Sequence, residues 1–192
     1  MSRDMDALVP VFREKTEAVL ASCEKQGVTM KPFFTERSPW EQARIYRSTR
    51  ATAEILQAAD RLKANRAPYL ASVLTEVGPQ SSPPSARGHL TNALPGLSWH
   101  QWGEALDCFW LLNGLAEWSV KRQVAISHDH LANGYFVYAD EAIQAGLLSA
   151  GLSWGWDWPH VQLRPHGSPH GVYSWEEIDA QMLEKFGTTE VS

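Results

Sequence analysis

Apolar and polar positions alternate along this chain with two different periods. Leu8, Val11, Phe12, Ala18, Val19 and Cys23 recur at helical spacing, which predicts a helix over 5–25 with Gly27 past its end. Residues 28–36 read as a short strand. Ser38-Pro39-Trp40-Glu41 then combines a capping box with a proline suited to the first helical position. That helix runs on, with a break, to about Asn65, through Ala43, Ile45, Tyr46, Ile55, Leu56, Ala59 and Leu62. Pro68 closes it, and 69–78 fits a helix or a strand equally well.

Residues 79–97 are crowded with proline, glycine and serine, and predict a loop long enough to act as a lid or flap. Glu104 to Leu112 reads as a central strand with Ala105, Asp107 and Phe109 on one face. A helix is predicted over 114–126, a short strand over 135–138, and a helix over 140–150 with Ile143 and Leu147 inward and Gly151 past its end. Residues 159–163 read as a strand that sets His160 and Gln162 on one face, because they lie two apart. Ser174 to Glu177 forms a second capping box. It opens a helix with Ile178, Met182, Leu183 and Phe186 inward, stopped by Gly187. Residues 188–192 are expected to fray. The pattern predicts an α+β fold: a small antiparallel sheet packed by helices on one side, in a single domain spanning 1–192.

Composition narrows the class. With 44% hydrophobic and 20% charged residues, the chain is an ordinary globular one. Net charge is −5, unevenly spread: residues 1–66 hold 12 basic and 9 acidic residues, and 67–192 hold 5 and 13. No basic stripe suits a nucleic-acid backbone, so no nucleic-acid partner is expected. Two cysteines, Cys23 and Cys108, are too few for a disulfide framework and are expected to be reduced and buried. No apolar leader and no run of about 18 apolar residues is visible, so no membrane span and cytoplasmic synthesis are expected. Nine tryptophans are many for 192 residues. Five of them (Trp99, Trp102, Trp154, Trp156, Trp158) flank the candidate chemistry described next, either as core or as walls of an aromatic cleft.

That chemistry centres on Ser98 to Asp107. His100 sits in a glycine-containing turn, and Asp107 follows seven residues later in the strand. Imidazole and carboxylate are both ordinary zinc ligands. The H-x6-D spacing alone is weak. The stretch Asp157-Trp-Pro-His160-Val-Gln162 adds a third ligand and a carboxylate three residues before it. A catalytic zinc takes three protein ligands and keeps one open position, with a separate group to move protons. His128-Asp129-His130 cannot easily converge on one ion and is read as a turn. His89, His166 and His170 are read as loop residues.

The pattern S-x-H-x-x-G-x-A-x-D followed by D-x-P-H-x-Q resembles the zinc peptidases of bacterial cell-wall peptides. That family includes D-Ala-D-Ala carboxypeptidases, vancomycin-resistance dipeptidases and phage L-alanyl-D-glutamate endolysins, and shares its fold with the Hedgehog signalling domain. Ser98, His100, Gly103, Ala105 and Asp107 match the first motif, and Asp157, Pro159, His160 and Gln162 the second. Arg37, followed by Glu41, Gln42 and Tyr46, resembles a third. The three motifs cover about 130 residues, from Arg37 to Gln162. Carboxypeptidase members often carry glutamate as the base in E-x-x-W-H. Asp157 and Pro159 depart from that and resemble the endolysin-type members. Trp102 stands where a smaller aromatic is common.

The resemblance implies one zinc ion per chain on His100, Asp107 and His160, with Asp157 as general base and Arg37 facing the developing oxyanion. It implies support or substrate contacts from Ser98, Gln42, Gln162 and Trp102. The expected function is hydrolysis of an amide bond in peptidoglycan stem peptides, most simply L-alanyl-D-glutamate, by a monomer acting on the wall if released. A D-Ala-D-Ala carboxypeptidase or dipeptidase, and a non-enzymatic zinc module of the same fold, stand as alternatives.

Overall fold

The computed structural model describes residues 2–77, 90–127 and 130–187. In chain order the helices are α1 (Pro10–Lys25), α2 (Pro39–Arg47), α3 (Thr52–Ala64), α4 (Pro68–Glu76), α5 (Gly134–Gln144), α6 (Ala150–Trp154) and α7 (Trp175–Phe186). The strands are β1 (Met30–Phe34), β2 (Ala105–Leu112), β3 (Leu115–Glu117), β4 (Val124–Ser127), β5 (His130–Ala132), β6 (Leu148–Ser149) and β7 (His160–Gln162). Short 3-10 turns lie at Met5–Ala7, Trp99–Trp102 and Pro169–Gly171. The fold is α+β with a small antiparallel sheet packed by helices, as the pattern predicts. The chain forms two compact units, one of Met1–Glu36 and Trp102–Pro165, the other of Arg37–Gln101 and His166–Ser192.

The first unit holds the sheet, ordered β1-β2-β7-β6 with β3 also on β2, every pairing antiparallel. β2 is central, and its alternation sorts chemistry from packing. Leu106, Cys108 and Trp110 face a core built with Phe12, Val19 and Cys23 of α1 and Tyr135 and Tyr138 of α5. Each large apolar side chain buried here contributes roughly 1.5–3 kcal/mol. Gly134 opens α5 against Trp110, where an added Cβ would meet the indole at 2.6 Å. Both cysteines are free and buried. Burial pushes the Cys23 thiol up to about 12 and Cys108 higher still, so both stay protonated and unreactive.

Three expectations for this unit are corrected. Residues 114–126 are not a helix. Asn113 and Gly114 both have positive φ (52° and 78°), and they fold β2 directly back as β3, pairing Leu112 with Leu115. Asn-Gly is the favoured pair for such a two-residue hairpin. Residues 135–138 are helical, not a strand. The Asn133 side chain accepts from Tyr135 N and caps α5, while its amide nitrogen donates to the carbonyls of Ser119 (2.8 Å) and Arg122 (2.6 Å). The cap and the packing of both tyrosines override the strand propensity of Tyr-Phe-Val-Tyr. The helix over 140–150 ends at Gln144. Ile143 is exposed, Leu147 is buried but beyond the helix, and Gly151 lies inside α6.

The second unit is helical, with α4 in contact with α2, α3 and α7. Both capping boxes form as predicted, at Ser38 with Glu41 and at Ser174 with Glu177. Of the undecided 69–78, residues 69–76 belong to helix α4, begun by Pro68. Its first amides, Tyr69 N and Leu70 N, donate to the Asp179 carboxylate of α7 at 3.3 and 2.8 Å. Ile178 and Met182 are buried as expected, but Leu183 is exposed. The first predicted helix starts at Pro10, after a separate turn at Met5–Ala7. The lid reading of 79–97 falls largely outside the described residues, as do His89, His128, Asp129 and the tail at 188–192. Among the described residues no helix is long and apolar enough to cross a membrane.

Candidate metal centre

The site starts from strand register. Asp107 of β2 lies directly across from His160 of β7, so their side chains leave the same face of the sheet. Asp107 Oδ1 is 2.9 Å from His160 Nδ1. The other ring nitrogen, His160 Nε2, lies 3.1 Å from Gln162 Oε1. Gln162 Nε2 donates to the Arg164 carbonyl at 2.6 Å, which orients the amide with its oxygen toward the imidazole. An amide oxygen can only accept, so this contact calls for a proton on Nε2, and Nδ1 then faces the carboxylate oxygen either with a second proton or with its lone pair. Two acceptors that close need a positive charge between them, a proton or a metal ion. Burial pulls the His160 pKa down, but the hydrogen bond and charge of Asp107 and the charge of Asp157 outweigh it, and the net shift is upward. Trp154 stacks on the ring at 5.8 Å between centroids, and Trp156 sits 5.4 Å from Trp154.

His100 stands on the one-turn helix Trp99–Trp102, and it is buried. Several bonds hold that turn. Trp99 Nε1 donates to the His166 carbonyl at 2.6 Å, Lys185 Nζ to the Gln101 carbonyl at 3.2 Å, and Gln101 N to the Ser98 carbonyl at 3.0 Å. Arg37 N donates to the carbonyl of His100 itself at 3.4 Å. Gly103 leaves the turn at φ 69°, where an added Cβ would lie 2.8 Å from the Ala7 carbonyl oxygen.

One ligand atom each from His100, Asp107 and His160 all lie within 4.8 Å of one another. Ligands about 2.0–2.2 Å from a tetrahedral zinc stand roughly 3.4 Å apart, so small side-chain adjustments close the set. Two nitrogens and one carboxylate oxygen, with both histidines buried, are donors that zinc accepts, and they leave a fourth position open. The group can hold a metal ion.

The remaining site residues divide. Asp157 is exposed and adopts a left-handed backbone (φ 56°), a conformation that Asp and Asn tolerate better than most residues. Its carbonyl accepts from His160 N at 3.0 Å, which fixes its place before β7. Arg37 is half-buried where β1 leads into α2, and Arg37 Nη1 donates to Gln42 Oε1 at 2.9 Å. Gln42 is fully buried. Its nitrogen donates to the Ala93 carbonyl at 2.8 Å and the Thr91 hydroxyl at 3.3 Å. Ser98 brackets the His100 turn through its backbone, with Ser98 N donating to Gln101 Oε1 at 3.2 Å. Trp102 is half-buried.

Glu104, the other nearby carboxylate in sequence, is taken up by a two-pronged pair with Arg164 at 2.7 and 2.9 Å. The tryptophans differ in their surroundings. Trp99 anchors its turn and Trp158 packs against Phe136 and Gly151, while Trp154 and Trp156 belong to the His160 surroundings. His166 is an exposed loop residue, and His170 is exposed on the 3-10 turn Pro169–Gly171, where it rests against Trp175. Sequence reasoning missed the anchors Lys185 and His166 and the Glu104–Arg164 pair, which lie 60 or more residues from their partners and follow no local pattern. No protein-family model matches the chain, and no curated protein sequence matches it either.

Proposed function

We propose that this chain is a zinc-dependent peptidase that hydrolyses an amide bond of bacterial peptidoglycan stem peptides. The observation that carries the reading is the convergence of His100, Asp107 and His160, with Asp157 three residues before one ligand and Arg37 tied by its backbone to another. A structural metal site needs neither a proton acceptor nor a guanidinium beside it. Zinc, when bound, would supply a Lewis acid and lower the pKa of a water toward neutrality. A divalent ion on two neutral imidazoles and one carboxylate keeps a single positive charge, so a further cation has work left to do.

Asp157 takes the proton from the attacking water and passes it to the leaving amine. Its exposed position allows exchange of that proton with solvent between turnovers. Arg37 neutralises charge that grows on the carbonyl oxygen. Gln42 ties the guanidinium to the Ala93 carbonyl and the Thr91 hydroxyl, so its orientation is set before substrate arrives. Asp157 and Pro159 in place of the E-x-x-W-H pattern favour the L-alanyl-D-glutamate bond. The test is incubation of the zinc-loaded protein with purified peptidoglycan and mass spectrometry of the fragments. A cut between L-Ala and D-Glu is expected. Free D-Ala as the sole product would assign a carboxypeptidase, and intact substrate would assign a non-enzymatic zinc module.

A further inference from the structure

The helical unit carries a second concave site. A cavity of about 220 Å³ is lined by Tyr46, Arg61, Leu62, Asn65, Asn92, Leu94 and Trp175. None of these belongs to the metal site, and none is acidic. The volume is below the ~300–1,000 Å³ of sites for drug-sized ligands, which limits the occupant to one small ring.

The polar groups in and around it differ in what they already bind. Neighbouring guanidiniums are used up: Arg50 donates to the Tyr46 carbonyl at 2.8 Å and lies 3.6 Å over the Tyr46 ring, and Arg66 pairs with Glu176 at 2.8 Å. The Arg61 guanidinium makes no hydrogen bond or ion pair among the described residues, and neither does the Tyr46 hydroxyl. Asn65 Nδ2 donates to the Arg61 carbonyl at 2.7 Å, which leaves its side-chain oxygen as an acceptor. Asn92 Oδ1 accepts from Arg50 at 3.3 Å, which leaves its nitrogen as a donor. Trp175, half-buried at the first position of α7, adds an aromatic surface.

We propose that this cavity binds an acidic sugar: a single pyranose ring bearing a carboxylate. Trp175 and Leu94 suit the apolar face of the ring. Asn65, Asn92 and the Tyr46 hydroxyl suit its hydroxyl groups, each of which both donates and accepts. Arg61 supplies the charge, and a guanidinium matches a carboxylate with two parallel hydrogen bonds. The site is independent of the hydrolase reading, since it uses no residue of the metal centre.

The test is titration of the isotope-labelled, zinc-loaded protein with glucuronic acid, glucose and acetate, followed by nuclear magnetic resonance. Glucuronic acid should shift the Trp175 indole and Asn65 and Asn92 amide resonances. Glucose, lacking the carboxylate, and acetate, lacking the ring, should bind about tenfold more weakly or worse. Arg61→Gln removes an exposed side chain without partners, so the fold should be unchanged while glucuronic acid binding falls about tenfold or more. Trp175→Leu should weaken both sugars. The proposal fails if Arg61→Gln binds glucuronic acid as the parent does, if acetate matches glucuronic acid, or if the shifts cluster at His100 and His160. Because the readout is binding, loss of peptidoglycan hydrolysis would leave it standing, and its failure would leave the peptidase reading standing.

Discussion

The candidate centre joins two kinds of support. Asp107 and His160 sit on paired strands, face to face by register, with a packed core behind them. His100 and Asp157 sit on turns, one on a single 3-10 turn and the other in a left-handed backbone. The strand pair cannot move apart without breaking the ladder between β2 and β7. The turn pair is held by a handful of individual bonds, such as Trp99 to His166, Arg37 to His100 and His160 to Asp157. The strand pair thus supplies a rigid platform, and the turns carry the third candidate ligand and the carboxylate proposed to move protons. Sites on strands are the more precisely held, and loops are where chemistry is adjusted.

The largest effect should come from the platform. Asp107→Ala or His160→Ala should reduce zinc from about one per chain to near none by elemental analysis, because each removes one of only three ligands. His100→Ala should do the same if the turn binds the metal as firmly as the strands do. Retention of zinc by His100→Ala alone would make the turn histidine a bystander and leave the strands as the whole of the site. Full zinc in all three variants would show that the cluster is not the site.

Next come the groups that do not ligate. Asp157→Asn keeps the left-handed backbone accessible and removes only the proton acceptor. Zinc should stay while turnover on peptidoglycan fragments falls by roughly 10²–10⁴. Asp157→Ala should lose the same activity and also about 1 kcal/mol of stability from backbone strain. Arg37→Ala should retain zinc and lower kcat by about 10²–10³. A raised KM with kcat unchanged would instead mark Arg37 as a grip on a substrate carboxylate. Loss of zinc from Asp157→Asn would make Asp157 a ligand. Its full activity would place the base elsewhere, and Glu104 is poorly suited, since Arg164 already neutralises it.

What can be read from residue order follows the same division. The strand-borne ligands are legible because strand periodicity is strict: Asp107 and His160 each fall in a clear apolar run, and Gln162 shares the His160 face by spacing alone. The helix starts at Ser38 and Ser174 are legible because a capping box is a local device. The stretch from 113 to 138 departs from its expected elements for two opposite reasons. Asn113-Gly114 is a strong local hairpin signal that outweighs the helical pattern of 114–126. The strand-like Tyr135 to Tyr138 is held helical by Asn133, whose own partners, Ser119 and Arg122, lie on a separate segment. No local window contains that information.

The smallest effect is the most informative, because it tests why the strand pair favours a cation. Gln162 is not itself a proposed ligand, yet its oxygen lies 3.1 Å from His160 Nε2 and its nitrogen is pinned to the Arg164 carbonyl. Removing the acceptor frees the imidazole to place its proton on Nδ1, where it would hydrogen-bond Asp107 and compete with the metal. Gln162→Leu should therefore lower zinc affinity by about 10–100-fold, the usual worth of a partner behind a metal-bound histidine. Gln162→Glu keeps an acceptor at the same distance and should restore most of that affinity. A purely structural role predicts the reverse order, since leucine suits a fully buried position better than a carboxylate does. Competition titration against a zinc chelator reads the affinities, and thermal melts of the metal-free variants read the packing. If Gln162→Leu binds zinc as tightly as the parent, the tautomer is not set by Gln162, and only the short distance to Asp107 marks Nδ1 as the nitrogen that His160 gives to the metal.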